Sequence, residues 1–174
     1  MKQKNKAVFF DRDGVINIDK SYLYKIKDFE FCDGIFDLMN YLKKLGYKFF
    51  IVTNQSGIAR GYYSEEDFKR LTLWMINEFK KNSITIEKVY YCPHAPDDKC
   101  ECRKPKPAMI KDALLSYDID PVLSWMIGDK ISDIKAADNA GITNTILLSQ
   151  KKEKNPEAKY NAQSLYDIIN IIKN

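Results

Sequence analysis

Residues 8–14 read Val8-Phe9-Phe10-Asp11-Arg12-Asp13-Gly14, a run of bulky apolar residues that stops at two carboxylates and a glycine. A short unbroken apolar run between polar segments is the pattern of a strand buried on both faces, and a charged turn ends it here. The form recurs along the chain. Phe49-Phe50-Ile51-Val52 stops at Thr53-Asn54-Gln55-Ser56-Gly57, and Leu123 to Ile127 stops at Gly128-Asp129-Lys130. Ile86 to Tyr91 and Thr145-Ile146-Leu147-Leu148 read as two further strands.

Helical spacing fills the intervals. Ile35, Leu38, Met39, Leu42 and Leu45 recur at helical spacing and Gly46 follows as a stop. Ser64-Glu65-Glu66-Asp67 is a capping box that opens an amphipathic helix running to about Lys81, with Trp74 and Met75 assigned to the core. Pro107 to Tyr117, Ser132 to Ala140 and Ser164 to Ile172 complete the set, with Gly141 ending the second of these. Strands that alternate with helices, each strand a continuous apolar run, predict an α/β fold: a doubly wound parallel sheet of Rossmann-like form. Ligands in such sheets gather beyond the carboxyl ends of the strands, where this chain places Asp11, Asp13, Thr53, Asn54 and Asp129. Lys151 to Tyr160 reads as a charged surface loop, and nothing splits residues 1–174 into more than one domain.

The 174 residues carry 28 Lys+Arg against 24 Asp+Glu, a formal charge of +4, with 45% hydrophobic and 30% charged residues. A chain of this size buries roughly 70% of its unfolded surface without disulfide staples, and its apolar content excludes wholesale disorder. The positive balance is small and dispersed, which argues against a nucleic-acid or membrane partner and favours a small anionic ligand. No apolar run approaches the ~18 residues of a spanning helix, and Met1-Lys2-Gln3-Lys4-Asn5-Lys6 does not open a secretory segment. The expectation is a cytoplasmic monomer with reduced cysteines.

The carboxylates at positions 11 and 13 can share one pocket, with the intervening Arg12 expected to point away. Crowded carboxylates repel, and a divalent cation relieves them; Mg²⁺ takes oxygen ligands and commonly one or two carboxylates with a substrate phosphate. Asp129 is a candidate third ligand. One carboxylate can attack phosphorus while its neighbour gives a proton to the leaving oxygen. Thr53 and Asn54 offer hydroxyl and amide donors, and Lys104 a cation, to the phosphoryl oxygens.

A second cluster is Cys92-x-His94-x₅-Cys100-x-Cys102, three thiols and the only histidine within eleven residues. Its composition is that of a closed, structural Zn²⁺ site, although the Cys-x-His and Cys-x-Cys spacings are tighter than those of common zinc fingers. The polar loop 92–102 buries too little to recover its own ordering entropy, and a metal would supply that stability. Arg103 and Lys104 follow the last ligand directly, so the same metal would hold the basic pair in place. Cys32 reads as a small buried apolar residue. Tyr22 is a candidate for stacking on a ligand, whereas Tyr24, Tyr62, Tyr63, Tyr90 and Tyr91 are assigned to packing or amphipathic surface.

Phe9-Phe10-Asp11-Arg12-Asp13-Gly14-Val15, Ile51-Val52-Thr53-Asn54-Gln55, Arg103-Lys104-Pro105 and Ile127-Gly128-Asp129-Lys130 with Asp133 resemble, in order, the four motifs of the haloacid dehalogenase superfamily of phosphatases. Thr53-Asn54-Gln55-Ser56-Gly57-Ile58-Ala59-Arg60-Gly61-Tyr62 and Cys92-Pro93-His94 are similar to the heptose bisphosphate phosphatases within it. The resemblance covers about residues 6–150. It implies Asp11 as the nucleophile that becomes phosphorylated and Asp13 as general acid, then base. It also implies Mg²⁺ on Asp11, Asp129 and the backbone carbonyl of Asp13, with Thr53 and Lys104 steadying the phosphoryl group. Arg103, Lys130, the segment Asp19-Lys20-Ser21-Tyr22 and the stretch Asn54-Gln55-Ser56 would face a small sugar bisphosphate. The activity implied is removal of the 7-phosphate of D-glycero-D-manno-heptose 1,7-bisphosphate, in the supply of ADP-heptose for lipopolysaccharide. The short insert between Gly14 and Gly34 leaves no room for a large cap domain, so a shallow pocket is expected. Histidinol-phosphate phosphatases share the short zinc loop and are the nearest alternative. A zinc-binding interaction module without chemistry is a third, and the intact Asp11 and Asp13 stand against it.

Overall fold

The computed structural model describes residues 4–151 and 154–173. The first three residues of the N-terminal stretch, and positions 152 and 153 of the predicted charged loop, lie outside the described residues.

Among the described residues six strands form one all-parallel sheet: β1 (Ala7–Phe10), β2 (Lys48–Asn54), β3 (Ile86–Cys92), β4 (Trp125–Gly128), β5 (Asn144–Leu148) and β6 (Tyr160–Ala162). Their spatial order is β3-β2-β1-β4-β5-β6. Five α-helices among the described residues connect or follow them: α1 (Ile35–Lys44), α2 (Glu65–Lys81), α3 (Ala108–Ser116), α4 (Ile131–Asn139) and α5 (Leu165–Ile171). The two-residue period of a strand sorts β1 between two cores. Val8 and Phe10 pack with α1, α2 and α5 residues such as Leu38, Met75 and Ile168. Ala7 and Phe9 pack on the opposite face with Met109 and Ile110 of α3 and Ala136 and Ala137 of α4. All four β1 residues are fully buried, which is why they read as one apolar run, and truncating Phe10 to Ala would cost about 3–5 kcal/mol.

Strand order sets the position of the site. The chain winds outward from β1 through β2 to β3, then crosses back to lay β4 on the other side of β1. The crevice between the carboxyl ends of β1 and β4 is therefore the place where the winding reverses, and in such sheets a ligand sits there. Asp11 and Asp129 follow β1 and β4, and the Asp11 backbone N–H donates to Ile127 O at 3.0 Å, holding the two strand ends together.

The predicted elements are present, with small shifts at their ends. Ser64 caps α2 as expected, accepting from the Asp67 backbone N–H while the Asp67 carboxylate accepts from that of Ser64, an arrangement Ser164 and Asp167 repeat at α5. Loss of such a cap costs about 1 kcal/mol. Two expectations need correction. β3 is not a continuous apolar run: only Ile86, Tyr90 and Cys92 are buried, and Lys88 is exposed, as suits an edge strand. Tyr160, the last residue of the predicted loop, opens an unpredicted strand, Tyr160–Ala162; three residues, one of them Asn161, carry no apolar signature, and pairing with β5 makes the strand. The segment joining β1 to α1 holds only a 3₁₀ turn, Ile26–Asp28, and isolated bridges, in line with the absence of a large cap.

Candidate active site

The turn after β1 is tightly wound. Arg12 O accepts from the backbone N–H groups of Ile16 (2.8 Å) and Asn17 (3.1 Å), and Gly14 sits at φ +92°, where side chains are disfavoured. A Cβ on Gly14 would overlap the Asp129 carboxylate, so glycine is what lets the β4 end close on this turn.

Asp11, Asp129 and Asp133 bring carboxylate oxygens within 4.8 Å of one another. Lys104 reaches them across the sheet ends, its ammonium 2.8 Å from Asp11 Oδ1, 2.6 Å from Asp133 Oδ1 and 2.7 Å from Val52 O. Asp133 is committed on its other oxygen too, which accepts from the Lys130 backbone N–H at 3.0 Å. It lies directly over Gly128, where a Cβ would collide with it. Asp129 differs: its Oδ1 is buried with no partner among the described residues. Burial pushes the Asp11 carboxyl well above the ordinary value; Lys104 opposes this, and Asp133, Asp129 and Asp13 add to it. Burial also raises Asp129, against the pull of Lys130. A site with three carboxylates around one buried ammonium, and one buried oxygen left over, is short of positive charge. An oxygen-seeking divalent cation fits that deficit.

Asp13 is held differently. Its two oxygens accept from Arg12 Nη2 at 2.9 Å each, from Asn17 Nδ2 at 3.0 Å and from Gln55 Nε2 at 3.0 Å. Burial would raise its carboxyl, but Arg12 and these donors outweigh it and hold it below the ordinary value. The expectation that Arg12 points away is thus corrected. Arg12 is 1% exposed; its guanidinium turns back to Asp13 and Leu23 O (3.1 Å) and lies over the Phe68 ring. A buried guanidinium needs a carboxylate, and the nearest is its own neighbour.

A cavity of about 390 Å³ opens beside these groups, lined by Asp13, Asp19, Ser21, Tyr22, Asn54, Gln55, Ser56, Gly57, Tyr63, Arg103, Lys104, Lys130 and Ser132. Nine of the sequence-predicted binding residues are thereby brought together. Lys20 is not: its ammonium pairs with Glu30 (3.1 Å) and donates to Asp28 O (3.0 Å), on its own loop. Thr53 lies buried beneath the cavity, accepting from Gln55 Nε2 at 2.9 Å. The Asn54 amide is turned to a backbone, with Nδ2 donating to Lys104 O (3.1 Å) and Oδ1 accepting from Lys104 N (3.0 Å), so it positions Lys104 instead of offering donors to phosphate. Lys130 leans toward Asp19 (3.5 Å) and Asp129 (3.8 Å) at the rim.

The thiol cluster assembles as predicted. Cys92 Sγ lies 3.5 Å from His94 Nδ1 and 3.7 Å from Cys100 Sγ, and His94 Nδ1 lies 3.2 Å from Cys102 Sγ. Tetrahedral zinc with bonds of about 2.0–2.3 Å has ligand-to-ligand edges of about 3.3–3.8 Å, so the donor set fits. Cys92 is the last residue of β3, and the sheet thereby anchors one ligand. The loop bears on the active site at two points: Arg103 Nη1 donates to His94 O (3.4 Å), and Pro93 O accepts from Ala59 N (3.2 Å) of the loop after β2.

Sequence reasoning named Asp133 and Gly57 within motifs but gave them no role in the site, and it missed Ser132 and Tyr63. Asp133 carried a further signal, being a carboxylate one turn past Asp129. The others show only when the loop after β2 is folded against α2 and the turn after β1.

A family model described as HAD-hydrolase-like matches residues 101–172. The chain is 51% identical over 170 residues to the D-glycero-alpha-D-manno-heptose-1,7-bisphosphate 7-phosphatase of Campylobacter jejuni, covering 98% of this chain and 97% of that protein. It is 41% identical over 184 residues to the D-glycero-beta-D-manno-heptose-1,7-bisphosphate 7-phosphatase of Escherichia coli, covering 99% and 96%. Among solved structures, the D,D-heptose 1,7-bisphosphate phosphatase from B. bronchiseptica, complexed with magnesium and phosphate, matches with a TM-score of 0.85 at 28% identity, over 96% of this chain and 97% of that one.

Proposed function

The chain belongs to the haloacid dehalogenase-like phosphatases, in the family of the heptose-1,7-bisphosphate 7-phosphatases, and on that footing we propose that it removes the 7-phosphate of D-glycero-D-manno-heptose 1,7-bisphosphate by way of a phosphorylated Asp11. The observation that carries the mechanism is the pairing of two unlike carboxylates. Asp11 ends β1 against the Lys104 ammonium, while Asp13 faces the cavity in a cage of hydrogen-bond donors.

Asp11 attacks phosphorus, the bond from phosphorus to the sugar C7 oxygen breaks, and that oxygen takes a proton from Asp13. In the second half Asp13 takes a proton from water as the water oxygen attacks phosphorus, which releases phosphate and frees Asp11. The donors around Asp13 favour its anion, the form that accepts the proton from water. A phosphate dianion arriving beside it pushes the carboxyl back up, so it can carry a proton into the first half. Lys104 and the Thr53 hydroxyl hold oxygens of the transferring group. Asp11, Asp129 and the backbone carbonyl of Asp13 would hold Mg²⁺, which when bound supplies positive charge against the phosphoryl oxygens.

Arg103, Lys130, Ser56 and the Asp19 to Tyr22 segment, without Lys20, bind the sugar and its second phosphate. Cys92, His94, Cys100 and Cys102 would hold Zn²⁺, whose contribution is to the stability of the loop that carries Arg103 and Lys104. The protein works in the cytoplasm, and its product feeds ADP-heptose and lipopolysaccharide assembly. No helix among the described residues is long and apolar enough to cross a membrane.

The test is phosphate release with Mg²⁺ from both anomers of the heptose 1,7-bisphosphate and from histidinol phosphate. The expected result is a kcat/KM advantage of about a hundredfold for one heptose anomer, roughly 2.7 kcal/mol of transition-state discrimination. A preference for histidinol phosphate would overturn the substrate and leave the nucleophile standing.

A further inference from the structure

Tyr63 begins no motif and touches no carboxylate, yet its hydroxyl ends a buried chain that reaches both Asp13 and Thr53. The phenol oxygen lies 2.5 Å from Gln55 Oε1, and Gln55 Nε2 lies 3.0 Å from Asp13 Oδ2 and 2.9 Å from Thr53 Oγ1. Gln55 and Tyr63 are both buried. A carboxamide has a donor end and an acceptor end, and only its partners decide which way round it sits. As the carboxylate paired with Arg12, Asp13 accepts, so the nitrogen belongs on its side. The Gln55 oxygen then faces Tyr63, whose phenol burial raises to about 12, so that it keeps its proton to donate at neutral pH.

The ring itself is held on two sides. Tyr24 stacks on it at 5.3 Å with an interplanar angle of 15°. Gly57 lies against the other flank so closely that a Cβ there would overlap the ring. The position of the hydroxyl is therefore set by the packing of two loops, and the hydroxyl in turn sets the amide.

We propose that Tyr63 is a positioning residue that fixes the hydrogen-bond polarity of the active site: Tyr63 donates to Gln55, Gln55 donates to Asp13 and to Thr53, and the Thr53 hydroxyl is left with its proton free for a phosphoryl oxygen. Without the phenol hydroxyl the buried Gln55 oxygen has no partner, so only Asp13 and Thr53 hold the amide and the turned-over arrangement becomes accessible. Turned over, it sets its oxygen against the Asp13 carboxylate and draws the Thr53 proton inward, away from the phosphoryl group. The loss falls on the chemical step and spares the sugar contacts. The proposal rests on the roles given above to Asp13 and Thr53.

The experiment uses the full chain with Mg²⁺ and compares wild type, Tyr63→Phe, Gln55→Leu and the double variant on the heptose bisphosphate and on para-nitrophenyl phosphate, with a melting curve for each protein. Tyr63→Phe keeps the ring between Tyr24 and Gly57. Its kcat should fall about tenfold on both substrates, the worth of one buried hydrogen bond, with KM for the bisphosphate changed less than about twofold. In the Gln55→Leu background the second substitution should cost nothing further, because there is no amide left to orient; losses that multiply would mean Tyr63 acts through packing and would overturn the proposal. An Asp13→Asn protein in the same assay separates the proposal from its premise. Loss in Asp13→Asn with wild-type turnover in Tyr63→Phe overturns the role of Tyr63 alone. Undiminished turnover by Asp13→Asn overturns the premise and the proposal with it.

Discussion

Replacing Lys104 by methionine keeps much of the stem and removes the ammonium that Asp11 and Asp133 share. Both carboxylates are buried, at 5% and 1% exposure, and Lys104 stands 2.8 and 2.6 Å from them. Removing one partner of a buried ion pair costs about 3–5 kcal/mol, because the charge left behind is uncompensated. In a chain of this size 1 kcal/mol moves Tm by about 2–4 °C, so the variant should melt about 6–20 °C lower. The loss should depend on pH. Burial already raises the Asp11 carboxyl above its unfolded value with Lys104 pulling it down, and the variant lacks that pull. A carboxyl raised on folding gives stability that is present below its unfolded value and lost as pH rises through its folded value. The destabilisation should therefore be small near about pH 5 and largest near about pH 8. Melting curves at both values without added divalent cation make the comparison. A Tm loss under about 2 °C at the higher pH, or an equal loss at both, would refute the reasoning.

Three further outcomes are expected. Cys102→Ser should lose zinc, measured by metal analysis, and lower kcat/KM about ten- to hundredfold with Mg²⁺ present, since the loop misplaces Arg103 and Lys104; full activity in a zinc-free protein would contradict this. Gly128→Ala forces a Cβ into the Asp133 carboxylate and should cost about 1–3 kcal/mol in denaturant unfolding together with a fall in kcat. Arg103→Glu should reduce kcat/KM on the sugar bisphosphate at least about tenfold more than on para-nitrophenyl phosphate; equal losses would assign Arg103 to the phosphoryl group or the fold.

How far the chain could be read before folding depends on whether a signal is local. β1, β2 and β4 announce themselves because both faces are buried, and their polar ends fall at one edge of the sheet by topology alone. Asp11, Asp13 and Asp129 were legible for that reason, and the thiol cluster because four ligand residues, three cysteines and a histidine, crowd into eleven positions. β3 was legible as a strand but not as an edge strand, and β6 was not legible at all, since a place at the edge and a three-residue pairing are set by the neighbouring strand. The side chains that aim the site were hidden in the same way. Nothing in the spacing says that Arg12 turns back on Asp13, that Asn54 clamps the Lys104 backbone from 50 residues away, or that Lys20 is taken up by Glu30. Those contacts follow from which polar groups are left without water once the loops close.

The central claim is that Asp11 carries the phosphoryl group. The direct measurement is a rapid acid quench of enzyme turning over the heptose bisphosphate, followed by mass analysis of the peptide that contains Asp11, with Asp11→Asn alongside. The account predicts one phosphoryl group on the wild-type peptide, placed on Asp11, and neither adduct nor turnover in the variant. An unmodified peptide, together with an Asp11→Asn protein that still releases phosphate at the wild-type rate with deamidation excluded, would contradict it.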